Sequence, residues 1–263
     1  MLAAADMHTH SSFSFDADYD PAQMLDGAAR QGLKQICFTD HVDFYDPSDI
    51  HLPDFSGRHM RLAELRSQFP QLTIWEGAEV SMATDASCAR NAVAALNGAE
   101  LDLIIGSVHT IGPENVWEDS FYASRTREAA YRLYLETILQ ALDSLPQLDV
   151  LGHYDFVAHY APYGDRAMHY TDAPDVFDGI FRWLVARGKT LEINTSAWES
   201  DQPWGLDILR RFHELGGRFV TIGSDSHNPR NLGRRFAEAA ALAQQAGLAV
   251  AYYRRHEPQI FQL

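Results

Sequence analysis

The stretch DMHTHSSFSFD, Asp6–Asp16, places two histidines, His8 and His10, two positions apart behind a short apolar run. On a β-strand alternate side chains share a face, so both imidazoles point one way and Thr9 points the other. Two imidazoles on one face are half of a metal site. They are equally compatible with a polar terminus, because H-x-H alone is a weak motif. The missing ligands must come from elsewhere in the chain.

Working outward, strand-like runs recur along the whole length: AADMHTH (4–10), KQICFTD (34–40), LTIWEGAEVS (72–81), LDLIIGSVH (101–109), LDVLGHYD (148–155), KTLEINTS (189–196) and RFVTIGSDS (218–226). Amphipathic segments of helical period lie between them. The first has Asp20 as N-cap, Pro21 at the first helical position and Gly32 just past its end, with Met24, Leu25, Ala28 and Ala29 as its buried stripe. From Asp175, the residues Val176, Phe177, Ile180, Phe181, Leu184 and Val185 repeat at helical spacing, and Gly188 closes the segment. NLGRRFAEAAALAQQAG (231–247) is the last long helix pattern, followed by a polar tail with one short apolar run.

Strand–helix alternation without a linker or composition break predicts an α/β fold with a parallel sheet. Seven confident strands, one short of the common eight-unit closed form, predict a distorted seven-stranded, TIM-like barrel. One domain, 1–263, is expected. Two long loops, 43–56 and 154–172, interrupt the alternation where parallel α/β enzymes place specificity.

Composition narrows the function. The formal net charge is −15, from 21 basic and 36 acidic residues, which repels nucleic-acid backbones and suits binding of divalent cations. No apolar run approaches the roughly 20 residues of a membrane span, and the start of the chain lacks a signal-peptide pattern. Cys37 and Cys88 both sit in apolar or alanine-rich surroundings, as small core residues of a reduced, cytoplasmic protein would.

Metal-type residues fall at one recurring place, the C-terminal ends of the strands: His8 and His10, His41, Glu79, His109, His153, then Asp225 and His227 at the i, i+2 spacing of the opening motif. Asp16 joins from the loop after the first strand. In a closed barrel those ends converge on one mouth. Six of the 12 histidines occupy these positions, a selection that scattered surface histidines would not make. Blander roles are open to single members: His41 as a loop residue, Glu79 as a partner of Arg58 or Arg61, His153 as a core histidine, and Asp16, like Asp18 and Asp20, as a helix cap. His51, His59, His213 and His256 match no strand end and read as surface residues. Asp40, Asp102 and Asp155 are candidates to accept the free ring N–H of a ligating histidine. Nine candidate ligands exceed what one or two tetrahedral ions need, and a carboxylate such as Glu79 can bridge two. Clustered ions at a phosphate-sized mouth suit phosphoester hydrolysis.

DMHTHSSFSFD, FTDH, GAEVS, GSVH, GHYD and GSDSH together resemble the PHP (polymerase and histidinol phosphatase) superfamily, and GLKQICFTDHVDF, LEINTSAW and VTIGSDSHNP resemble its histidinol-phosphatase branch. The resemblance runs from about Asp6 to Leu248. It implies the PHP fold and three ions of zinc, manganese or iron: one on His8, His10, Glu79 and Asp225, a second on Glu79, His109 and His153, a third on Asp16, His41 and His227. It further implies a cytoplasmic phosphomonoesterase of histidine biosynthesis that acts on the small molecule L-histidinol phosphate, without nucleic-acid or membrane partners. A bridging hydroxide would attack phosphorus, and Asp225 or His227 would handle the proton of the leaving alkoxide. The alternatives are another small phosphate as substrate, an amidohydrolase-like site of one or two ions, and a non-catalytic module of the kind that accompanies polymerases.

One departure stands out. The branch carries a basic pair after the fifth-strand motif, and here GHYDFVAHY places Ala158 and His159 there. Arg166 in the same loop, or His159, is the expected phosphate contact, with Arg125, Arg127 and Arg230 as weaker candidates. Asn194 is expected to hydrogen-bond substrate or to close its strand as a turn residue.

Overall fold

The computed structural model describes residues 5–46, 48–198 and 202–261. Its strands, in chain order, are β1 (Ala5–Thr9), β2 (Gln35–Phe38), β3 (His41–Asp46), β4 (Asp49–His51), β5 (Thr73–Ser81), β6 (Leu103–Ser107), β7 (Thr110–Ile111), β8 (Glu114–Asn115), β9 (Val150–Leu151), β10 (Thr190–Asn194), β11 (Phe219–Gly223), β12 (Ala249–Arg254) and β13 (Glu257–Ile260). The sheet runs β1-β2-β5-β6-β9-β10-β11-β12, all parallel, and β13 adds antiparallel to β12.

The first strand also meets the eleventh. Asp225 N–H donates to the His8 carbonyl at 2.9 Å and His10 N–H to the Ser226 carbonyl at 3.0 Å. Asp6 ties the same seam, accepting from Ser224 N–H at 2.9 Å, the Ser224 hydroxyl at 2.6 Å and Gly233 N–H at 2.9 Å. Burial still pushes the Asp6 carboxyl up to about 6 against these bonds. Strands covered on both faces read as near-continuous apolar runs, and β6, LIIGS, is buried throughout.

The helices follow their punctuation. Pro21–Gln31 begins with a reciprocal cap: the Asp20 carboxylate accepts from Ala22 N–H at 2.8 Å, and the Gln23 side chain accepts from Asp20 N–H at 3.0 Å. It ends at Gly32, left-handed at φ 78°. Pro174–Ala186 buries Val176, Phe177, Ile180, Phe181 and Leu184, each large side chain contributing about 1.5–3 kcal/mol. Among the described residues no helix is long and apolar enough to cross a membrane.

Three expectations need correction. The stretch 43–56 is not a loop: β3 and β4 form an antiparallel hairpin, and β3 also pairs in parallel with β5, His41 opposite Glu79. Its turn is held by the Asp46 carboxylate, which accepts from Ser48 N–H at 2.6 Å and Asp49 N–H at 3.1 Å. Within 154–172 lie a short helix, Phe156–Tyr160, and a 3-10 turn, Tyr170–Asp172. The tail is the β12–β13 hairpin, so β12, like β3, is a parallel-paired strand beyond the seven that the sequence suggested.

Candidate metal centre

The parallel strand ends deliver a single buried cluster. His8 closes β1, His10 follows it, His41 opens β3, Glu79 lies near the end of β5, and His109, His153, Asp225 and His227 follow β6, β9 and β11. Glu79, fully buried, sits at the centre. Its Oε1 lies 2.7 Å from His153 Nε2 and 3.2 Å from His109 Nε2. Its Oε2 lies 3.1 Å from His8 Nε2, 3.4 Å from His10 Nε2 and 3.3 Å from His41 Nδ1. Each carboxylate oxygen therefore faces its own set of imidazoles. Asp225 Oδ1 joins the second set, 3.5 Å from His8 Nε2 and 3.2 Å from His10 Nε2. Asp16 Oδ2 stands 3.4 Å from His41 Nε2 and 3.2 Å from His227 Nε2 at the rim.

What lies behind the rings fixes their orientation. His8 Nδ1 meets Glu192 Oε1 at 2.9 Å, and a carboxylate only accepts, so this nitrogen carries a hydrogen and Nε2 is the atom turned to the cluster. The Ser81 hydroxyl donates to Asp43 at 2.6 Å, so it accepts from His109 Nδ1 at 2.9 Å and turns His109 Nε2 to the cluster as well. His10 Nδ1 is held by Ser14 at 3.1 Å and His227 Nδ1 by the Asp225 carbonyl at 3.0 Å. Behind these, buried Asp40 accepts from Ser11, Ser14 and Arg58, shaping the loop after β1. Gly223 on β11 has to be bare, because a Cβ there would run into the Glu192 carboxylate and lie 2.5 Å from His8 Cβ. Asp225 itself sits at φ 54°, a left-handed backbone that few side chains adopt and that recurs at functional sites.

The cluster requires positive charge. His8 Nε2, His10 Nε2, Glu79 Oε2 and His227 Nε2 are buried without a hydrogen-bond partner, an arrangement costing about 1–3 kcal/mol per group. Burial disfavours ionised Glu79, yet His8, His41 and His109 hold its carboxyl well below the usual range. Burial likewise opposes a proton on His8, and Glu192, Glu79 and Asp225 together override it and push that pKa up. Cations at the cluster would meet the same demand. Among the described residues four groups of donors lie within mutual reach of one ion each: His8–His10–Glu79–Asp225, Glu79–His109–His153, His10–His41–His227 and His41–Asp43–His109.

The PHP domain family model matches residues 6–196. The chain belongs to the PHP family. A histidinol-phosphatase from Lactococcus lactis subsp. lactis (strain IL1403) is 32% identical over 249 residues, covering 92% of this chain and 91% of that protein. A probable histidinol-phosphatase of Clostridium acetobutylicum is 28% identical, covering 95% and 96%. A crystal structure of the Lactococcus lactis histidinol phosphate phosphatase, complexed with Zn, L-histidinol and phosphate, superposes at a TM-score of 0.90 with 30% identity, covering 98% of this chain and 100% of that one.

In this PHP chain the nine sequence-marked donors come together, and several secondary expectations do not. Arg58 pairs with Asp40 and the Gly77 carbonyl, and Arg61 with Asp20 and Glu64, so neither competes for Glu79. Asp102 accepts from Glu76 and Arg255 N–H groups, and Asp155 from the Trp204 indole, so neither takes a ligand ring N–H. Ring partners the sequence reading missed are Glu192, Asp43, Ser14 and Ser81. Glu192 had one signal, an acidic residue two before Asn194 on the same face of an otherwise apolar strand.

Above the cluster opens a cavity of about 290 Å³ whose lining, among the described residues, includes no lysine or arginine. Arg166 donates to the His159 carbonyl at 3.1 Å, and neither residue is in the wall. Arg125 is committed to Glu114 and Arg127 to Asp172. Asn194, 2% exposed, donates to Glu192 at 3.1 Å and Asp225 at 3.4 Å and accepts from Ser196. None of Arg166, His159 and Asn194 is among the described residues that line this cavity.

Proposed function

We propose that this centre holds three divalent ions, of zinc, manganese or iron, and that the enzyme hydrolyses L-histidinol phosphate to L-histidinol and phosphate. The observation that carries the reading is Glu79, whose two oxygens address two separate imidazole groups. His8, His10 and Asp225 would complete one ion's set, His109 and His153 the second, and Asp16, His41 and His227 the third. Ions so held acidify water and neutralise charge on the phosphoryl oxygens.

The chain's own groups do the rest. Glu192, Ser14 and Ser81 hold His8, His10 and His109 in the tautomer that presents Nε2. Asn194 and the left-handed backbone at 225 fix the Asp225 carboxylate. Asp225 and His227 face the cavity with side chains 13% and 32% exposed, and one or the other carries the proton to the leaving alkoxide. Support for the substrate comes from the histidinol-phosphatase relatives and from the Lactococcus lactis complex.

The same reading takes β1, β2, β5, β6, β9, β10 and β11 as a distorted seven-stranded barrel within one domain, 1–263, and places the enzyme in the cytoplasm. The deciding experiment is turnover of metal-loaded protein on L-histidinol phosphate beside sugar and nucleoside phosphates. The expected result is a kcat/KM highest for L-histidinol phosphate. Equal or better turnover of a sugar or nucleoside phosphate would refute the substrate assignment.

A further inference from the structure

The cavity wall differs in character from its floor. Phe15, Tyr45, Trp117, Phe156 and Tyr160 line it above the histidines. Phe15 is 53% exposed, Tyr160 39% and Trp117 37%. Among the described residues these three are the most exposed aromatic side chains, and all three line this mouth. Such patches mark binding surfaces. The rings are also mutually braced. Phe15 stacks on His51 with centroids 3.9 Å apart, Tyr45 leans on Trp117 at 5.9 Å, and Phe156 packs on Tyr160 at 5.1 Å. The Tyr45 hydroxyl is tied to Asp43 at 2.7 Å, which fixes its ring as a wall rather than a swinging cover.

Among the described residues the charged side chains in the lining, apart from histidine, are Asp16, Glu79 and Asp225, the carboxylates assigned above to the ions. A leaving group bearing a cation meets no like charge from an arginine or lysine of the wall, and it finds aromatic faces, of which indole attracts cations best. We propose that Trp117, with Tyr45 and Phe15 beside it, is the specificity-determining wall that selects phosphate esters of cationic amino alcohols over those of neutral alcohols. The inference rests on the phosphatase reading above and names the feature of the alcohol half that the site recognises. It also gives Trp117, which lies outside every strand-end motif, a function.

The test compares wild type, W117A and W117F on three substrates: L-histidinol phosphate, its analogue lacking the amine, 3-(imidazol-4-yl)propyl phosphate, and glycerol 3-phosphate. In parallel, calorimetry measures binding of L-histidinol to each protein. W117A should lower the ratio of kcat/KM for L-histidinol phosphate over glycerol 3-phosphate roughly ten-fold, with W117F recovering most of it. The amine-free analogue should lose less than the parent, and L-histidinol binding should weaken by a similar factor. An unchanged ratio with unchanged L-histidinol binding would overturn the proposal, as would equal losses on all three substrates. Wild type that binds L-histidinol through Trp117 but releases phosphate from none of the esters would instead overturn the phosphatase reading and leave the wall standing.

Discussion

Replacing Glu192 by glutamine should weaken metal binding although this residue touches no proposed cation position. Glu192 Oε1 accepts from His8 Nδ1 at 2.9 Å, and Oε2 accepts from His153 N–H at 2.9 Å and Asn194 Nδ2 at 3.1 Å. Glutamine keeps the shape but offers one acceptor and one donor. If its oxygen faces His8, its NH2 confronts two donors. If it turns round, its NH2 forces the lone pair of His8 onto Nδ1 and a hydrogen onto Nε2, the atom aimed at Glu79 and Asp225. The first orientation leaves buried donors unpaired, at about 1–3 kcal/mol, or about 2–4 °C in Tm per kcal/mol for a chain of this size, and the second puts a hydrogen on the atom that would face a cation. Loss of such an outer partner typically costs about 10–100-fold in metal affinity. Chelator competition followed by elemental analysis reads the affinity, and phosphate release should recover as free metal is raised. E192Q with wild-type affinity and Tm would refute the tautomer argument.

Three further outcomes are expected. Replacing His227 by alanine should abolish phosphate release while near-UV circular dichroism stays native, because the side chain lies at the rim and is 32% exposed; wild-type turnover would remove the third donor group from the chemistry. Replacing Phe181, fully buried in the helix core, by alanine should cost about 3–5 kcal/mol by denaturant unfolding, and a loss below about 1 kcal/mol would mean the core there is not packed as described. Arg211 hydrogen-bonds Asp178 and holds its carboxyl down to about 2. A lowered folded pKa gives stability that is full above the unfolded value near 3.8 and fades as pH falls through about 2. The Tm gap between wild type and D178N should therefore shrink on acidification below about pH 4, and a gap that widened there would contradict the pairing.

Much of the centre was legible because its donors sit at the ends of short apolar strands, where parallel topology leaves them no other direction. His8 with His10 and Asp225 with His227 announce themselves by i, i+2 spacing, and the Asp20–Pro21…Gly32 punctuation gives its helix to the residue. The outer partners were less visible. Ser14 and Ser81 are ordinary polar residues in sequence, and only register places Ser81 between Asp43 and His109. The β3–β4 hairpin was hidden because HVDFYD continues directly from TDH, so one apolar-polar alternation reads as a loop trailing a finished strand. The β12 strand was masked by the charged turn Arg254–Glu257 inside its hairpin. Arg166 is marked for phosphate only by its sequence proximity to His153, and sequence carries no signal of its bond to the His159 carbonyl.

The most direct test of the central claim is an anomalous-difference map of crystals grown from metal-loaded protein. The account predicts one peak among Glu79 Oε1, His109 and His153, and another among Glu79 Oε2, His8, His10 and Asp225. Their separation should be about 3.5–4 Å, with metal–nitrogen distances of about 2.0–2.1 Å for zinc. Peaks that avoid both Glu79 oxygens, or metal-loaded protein showing a lone ion on only one of the two imidazole groups, would contradict it.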